Sequence, residues 1–185
     1  MDLGFRMHAE RTPNPNSIKW VLGQAVADVV SSATFSGSVD AAVSPLAAPI
    51  LGVEGVESIF LGPTFITVTK ADGAEWTELA APIVAEIKSW AASGESALGP
   101  AFELPEVAED DEIVTKIREI LERDVRPYVE SDGGEISFAG YHDGIVEVVL
   151  QGACAGCPSS SITLKMGIEA RLKEEIPEVE SVVAL

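Results

Sequence analysis

The stretch from Trp90 to Asp111, W-A-A-S-G-E-S-A-L-G-P-A-F-E-L-P-E-V-A-E-D-D, constrains this chain more than any other feature. Gly94, Gly99, Pro100 and Pro105 discourage regular structure, and five acidic residues with no basic one lie between Ser96 and Asp111. A length of 185 residues allows one large domain or two small ones, and this break favours two. The expected division is a first domain over residues 1–92, an acidic Gly/Pro-containing linker over 93–110, and a second domain over 111–185. Phe102, Leu104 and Val107 are apolar enough to dock the linker against a neighbour.

The N-terminal part opens with Thr12-Pro13-Asn14-Pro15-Asn16, whose prolines dictate a turn or extended segment. Ser17–Leu22 reads as a short strand. Ser44-Pro45 is a helix start, a capping hydroxyl followed by proline at the first helical position. Pro49 then limits that helix to a short or kinked one. Ser58–Leu61 and Phe65–Thr69 are β-rich runs joined by Gly62-Pro63-Thr64, a hairpin signature. Beyond Asp72-Gly73, Trp76, Leu79, Ala80, Ile83, Ile87 and Trp90 recur at helical spacing and read as core, with Pro82 a candidate kink.

The C-terminal part reads α-β-β-α-β. Asp110 or Asp111 caps a helix whose apolar face is Ile113, Ile117, Ile120, Leu121 and Val125, ending near Pro127-Tyr128. Asp132-Gly133-Gly134 turns the chain into a strand over Glu135–His142, and Asp143-Gly144 is a two-residue hairpin turn leading to Ile145–Leu150. A cysteine loop, a helix over Ser159–Ile176 and a strand over Val179–Ala184 follow. Within that helix Ile162, Leu164, Met166, Ile168, Ala170 and Leu172 alternate with a strand's period, but the length and the Lys, Glu, Arg and Met content favour a helix. Such a helix is apolar around much of its circumference, and a subunit partner is one surface on which it could pack. The fold class expected is therefore α+β, two small α/β domains, with the C-x-x-C loop between the second strand and second helix of the C-terminal one.

Composition excludes more than it selects. A hydrophobic content of 46% supports folded cores, and a formal net charge of −18 repels phosphate backbones and anionic lipid surfaces. Nucleic-acid and membrane partners are not expected, and no run approaches the roughly 20 apolar residues of a membrane span. Met1-Asp2-Leu3-Gly4-Phe5-Arg6 lacks a signal-peptide core, and Asp2 and Glu10 make the segment too acidic for a transit peptide. A reducing cytoplasm is the expected compartment.

The chemistry sits in Gln151-Gly152-Ala153-Cys154-Ala155-Gly156-Cys157-Pro158-Ser159. Cys154 and Cys157 are the chain's two cysteines, and a disulfide between them would close too small a loop to stabilise a fold. C-x-x-C spacing lets two thiolates converge on one metal centre, and the N–H groups of a following helix favour anionic sulfur. Gly152, Ala153, Ala155 and Gly156 leave room for a bulky inorganic group, and Pro158 suits the helix's first turn. His8 and His142 are not at ligand spacing from the cysteines. Zinc and ferredoxin-type clusters take four ligands, so the economical arrangement is two chains each giving Cys154 and Cys157 to a centre on a two-fold axis. Two other readings share the motif: thiol–disulfide exchange, and a mononuclear zinc or iron site bridging a dimer.

The motifs as a set are more specific. Arg126-Pro127-Tyr128 with Ser131-Asp132-Gly133-Gly134-Glu135, the loop Gly152–Ser160, and Thr163-Leu164-Lys165 resemble the Nfu-type proteins, whose cysteine domain is similar to the C-terminal domain of NifU. Thr12–Asn16, Ser44-Pro45-Leu46-Ala47 and Phe65–Lys70 followed by Trp76 are similar to the Nfu N-terminal domain, with Pro49 a departure from its pattern. The resemblance covers nearly the whole chain. It implies a [4Fe–4S] cluster held between two protomers by Cys154 and Cys157, received from an upstream assembly scaffold and transferred to apo iron–sulfur proteins. It implies a homodimeric carrier and no enzyme, with no cluster ligand in the N-terminal domain, which influences partner contacts. The alternative from another class is a thiol–disulfide oxidoreductase using the same pair.

Overall fold

The computed structural model describes residues 5–27, 33–103, 112–155 and 158–185, and the side chains of 158–161 fall outside that description. Contacts divide the chain into two units, Met1–Pro105 and Glu106–Leu185.

In the first unit five antiparallel strands lie in the order β1-β2-β5-β4-β3: β1 Met7–Arg11, β2 Ser17–Leu22, β3 Ala33–Ser36, β4 Val56–Leu61 and β5 Phe65–Lys70. Alternation puts Trp20 and Leu22, Ile59 and Leu61, and Ile66 and Val68 on one face. Helices α1 (Ala47–Leu51) and α2 (Trp76–Ser93) cover that face with Ile50, Leu79, Ile83, Ile87 and Trp90. The edge strands β1 and β3 have no counterpart in the sequence reading. M-H-A-E-R and A-T-F-S bury little, so they carry no hydrophobic pattern to read, and a polar edge is what keeps a sheet from pairing further.

Ser44 does cap the turn ahead of α1. Its Oγ accepts the Ala47 N–H at 3.0 Å, its carbonyl accepts the Ala48 N–H at 3.1 Å, and its hydroxyl donates to the Ala97 carbonyl at 2.7 Å. With Pro49 inside it, α1 is only five residues long. Residues 97–101 return to this same turn through Gly99 N–H to Val43 O and Ala101 N–H to Ala42 O, and Phe102 meets Phe35 edge-on. Leu104 and Val107, the other apolar residues of the expected linker, lie outside the described residues.

In the second unit α3 (Glu112–Ile120), a π-helical segment (Leu121–Val125) and α4 (Arg126–Ser131) form one continuous helical run. The hairpin β6 (Gly134–His142) and β7 (Ile145–Gly152) follows, then α5 (Pro158–Glu175) and β8 (Ser181–Ala184), which pairs parallel to β7. Asp143 and Gly144 both have positive φ, 48° and 76°, as a two-residue hairpin requires. The alternation in α5 resolves into two rows at i, i+4. Leu164, Ile168 and Leu172 face the core with Ile136, Val146 and Val182, while Ile162, Met166 and Ala170 are exposed. No described helix is long and apolar enough to cross a membrane.

The Ser44 cap is buried and bonded on both sides, so Ser44→Ala is expected to destabilise the N-terminal unit by about 1–2 kcal/mol. All three tryptophans, Trp20, Trp76 and Trp90, lie in that unit. Denaturant unfolding followed by tryptophan fluorescence therefore reads it, and an unchanged midpoint would remove the cap from the account.

Candidate functional site

Two segments distant in sequence build the site. The first is the exit of the long helical run. Proline at 127 has no N–H for the Arg123 carbonyl, and its ring crowds that oxygen, so a regular α-turn cannot pass through it. The chain responds with the wider π turn: the Arg126 N–H bonds to Leu121 O, five residues back. Beyond it, Gly133 (φ 78°) ends α4 in the left-handed region, with its N–H on Glu130 O at 3.0 Å.

The second segment is the end of β7. Gly134, first in β6, pairs with Gly152, last in β7, and Gly152 turns at φ 64°. The Ala153 N–H then donates to Gly133 O at 3.1 Å, and the Ala155 N–H to Gly152 O at 3.1 Å. These bonds lay the cysteine loop against the helix exit. Cys154 is buried, 6% exposed, and packs with the core of the unit. Its sulfur occupies space that exists because residue 134 lacks a side chain: a Cβ there would sit 2.5 Å from Sγ.

Cys154 forms part of the wall of a cleft of about 700 Å³ that opens between α4 and α5, with Tyr128, Val129, Leu164 and Ile168 as its apolar lining. Tyr128 is 74% exposed. One rim is charged. Arg123 Nε and Nη2 donate to the two Asp124 carboxylate oxygens, both at 2.8 Å, and Arg171 Nε on α5 donates to Asp124 Oδ2 at 2.7 Å. Arg123 and Arg171 also share Glu175. The hydrogen bond from Arg123, reinforced by Arg171 against the cost of desolvation, lowers the Asp124 pKa to about 2. The same carboxylates raise both guanidinium pKa values. On the other side of α4, Arg126 Nη1 lies 3.1 Å from Oε1 of the buried Glu135, and its Nε 2.7 Å from Glu122. These are ion-pair contacts by distance; the Arg126 Nε–H and Nη1–H vectors are not aligned for hydrogen bonds.

Of the residues singled out in the sequence, Cys154 lines the cleft, and Gly152 turns the chain two residues before it. Gly156 and Cys157 lie outside the described residues, and Pro158 opens α5. His142 is a hairpin-end residue 3.8 Å from Glu147, and His8 bonds Glu10 in the other unit. Among the described residues no three His, Cys, Asp or Glu side chains converge as a metal site. Sequence reasoning treated Gly133-Gly134 only as a turn and passed over Asp124–Arg171 and Arg126–Glu135. Pro127 inside a helical pattern was the available signal for the π segment.

Residues 117–183 match the family model described as the NifU-like domain, and residues 7–94 that described as scaffold protein Nfu/NifU N terminal. The human "NFU1 iron-sulfur cluster scaffold homolog, mitochondrial" is 43% identical over 179 residues, which cover 95% of this chain and 70% of the human protein. The Drosophila ananassae protein of the same name is 41% identical over 95% of this chain, and the matched stretch spans 63% of its length. Among solved structures, a Staphylococcus aureus protein aligns over 44% of this chain and 98% of its own, with 31% identity and a TM-score of 0.41. A NifU-like protein from Saccharomyces cerevisiae aligns over 54% and 91%, with 23% identity and a TM-score of 0.48.

These relatives correct one expectation. The cytoplasm was inferred from an acidic N-terminus and reduced cysteines, whereas the insect and human relatives are named mitochondrial. Thiolate chemistry asks for a reducing environment, which is a property of more than one compartment, and composition does not tell them apart.

The charged rim gives a pH dependence. The folded protein holds the Asp124 carboxyl below its ordinary value of 3.8, at about 2. Its contribution to stability is thus present above about pH 4 and is lost as the pH falls toward 2. The stability gap between wild type and Asp124→Asn is expected to narrow across that window in acid titrations at fixed denaturant. A gap that stays constant from pH 5 to about 2 would remove Asp124 as the titrating group.

Proposed function

The chain belongs to the Nfu family of iron–sulfur cluster scaffold proteins, and from that membership we propose that it binds a [4Fe–4S] cluster as cargo, between two copies of itself, and passes it to apo iron–sulfur proteins. The observation that carries the reading is the placement of Cys154. Its sulfur is seated at the wall of an open cleft, on a loop of small residues ahead of α5, where an inorganic group has both a ligand and room.

Ligand count supplies the dimer. A cubane cluster takes about four thiolates, and each chain has two cysteines. Cys154 and Cys157 from one protomer with the same pair from its partner complete the set, which makes the assembly a two-fold one. Separating the chains takes away half the ligands, so the cluster is held in a form that an acceptor's thiolates can exchange one at a time. Such a protein turns over no substrate. An upstream assembly scaffold supplies the cluster, and the N-terminal unit, with no cysteine, serves partner contacts.

Anaerobic reconstitution with iron and sulfide tests this. The expected product is a brown dimer with about four irons and four sulfides per two chains, and Cys154→Ser or Cys157→Ser each abolishes it with the fold retained. Full cluster content in either variant sinks the ligand assignment. A colourless monomer cycling between dithiol and disulfide replaces the carrier with a thiol–disulfide oxidoreductase.

A further inference from the structure

Three glycines frame the Cys154 loop, and they are glycine for different reasons. Gly133 and Gly152 occupy left-handed backbone, φ 78° and 64°, where any side chain is strained. Gly134 has no such φ. As the first residue of β6 its backbone would accept any L-residue. What excludes a side chain is space: a Cβ at 134 would lie 2.5 Å from Cys154 Sγ, 3.0 Å from Cys154 Cβ and 2.9 Å from the Gln151 carbonyl oxygen. The nearest of these atoms is the sulfur.

We infer that Gly134 is a positioning residue for the cysteine ligand: its absent side chain is the seat of the Cys154 sulfur, and it fixes where the cleft wall presents that sulfur. The consequence for cluster binding rests on the carrier reading, but the seat is a property of the metal-free protein. A sulfur packed against Gly134 is held to one side-chain orientation, and a ligand already in place loses little freedom on binding. One added methyl group forces the Cys154 side chain into another rotamer or moves the loop off β6. Either displaces the sulfur while leaving backbone conformation at 134 permissible. A purely structural glycine, needed only for the close approach of Gln151, would act without regard to what stands at 154.

The test uses the full chain. With Cys157→Ser, Cys154 is the only thiol, and its alkylation rate in the metal-free protein reports how well the sulfur is seated. Gly134→Ala is expected to raise that rate severalfold and, in the two-cysteine protein, to cut the iron and sulfide retained on reconstitution to a small fraction of wild type. Gly134→Ala is also expected to lower the Tm of the C-terminal unit by roughly 5–10 °C, and by clearly less when combined with Cys154→Ala, because the closest clash has gone.

Equal alkylation rates, or equal Tm losses with and without the Cys154 sulfur, overturn the inference. If Gly134→Ala alone does not fold, recovery of the fold by Cys154→Ala supports the seat and continued failure overturns it. A wild-type protein that takes up no cluster defeats the carrier reading, whereas alkylation and the Tm cycle still decide the role of Gly134.

Discussion

Where α4 hands over to β6, the backbone runs within bonding distance of the loop that carries Cys154, and the geometry of the site follows from that approach. Gly133 closes the helix and offers its carbonyl to Ala153, and Gly134 pairs with Gly152 one step further on. The two glycines serve that approach differently, Gly133 through its left-handed backbone and Gly134 by leaving the space that the Cys154 sulfur fills. The loop also occupies the position where β7 gives way to α5 on the way to the parallel strand β8. Loops beyond the carboxyl ends of parallel strands are exposed on one side and braced on the other, and so are the usual place for a ligand.

The polar groups around the site place its parts more than they stabilise them. Asp124, Arg123, Arg171 and Glu175 form a network that is partly open to water, where individual ion pairs contribute little. Its effect is geometric, since it connects the π segment to α5 across the cleft mouth. Arg126 and Glu135 differ, being mostly out of solvent. A buried pair offsets its own desolvation at best, yet leaving either charge alone would be costly, so it keeps α4 in one register against the start of β6. Stability itself lies in Ile117, Ile136, Val146, Ile168, Leu172 and Val182, all nearly or wholly inaccessible.

The elements that the sequence made legible are those whose side chains answer to one environment. Asp143-Gly144 specified its own turn, and β2, β4, β5 and α2 carried clear apolar periods. The alternation in α5 was ambiguous because two i, i+4 rows, one inward and one outward, superpose into a period of two; only the packing of Ile168 and Leu172 separates them. Strands β1 and β3 were illegible because edge strands bury too little to be patterned. The cysteine loop was visible as a motif, but Gly134 was not, since its reason for being glycine is an atom in a residue of a different segment. No local rule encodes that contact, nor the pairing of Asp124 with Arg171.

On the carrier reading, in which two chains share one centre, that hidden contact matters more than it would in a single-chain site. Where four ligands come from one fold, the fold's own cooperativity fixes their spacing. Where each chain brings two, association has to supply the order, and every degree of freedom left in a ligand subtracts from the affinity of both chains at once. On the carrier reading, release asks for a weak union of protomers and capture asks for ligands that are already in place. A sulfur seated by the chain's own packing satisfies the second demand without strengthening the first, because the seat lies within one protomer and adds no contact between two.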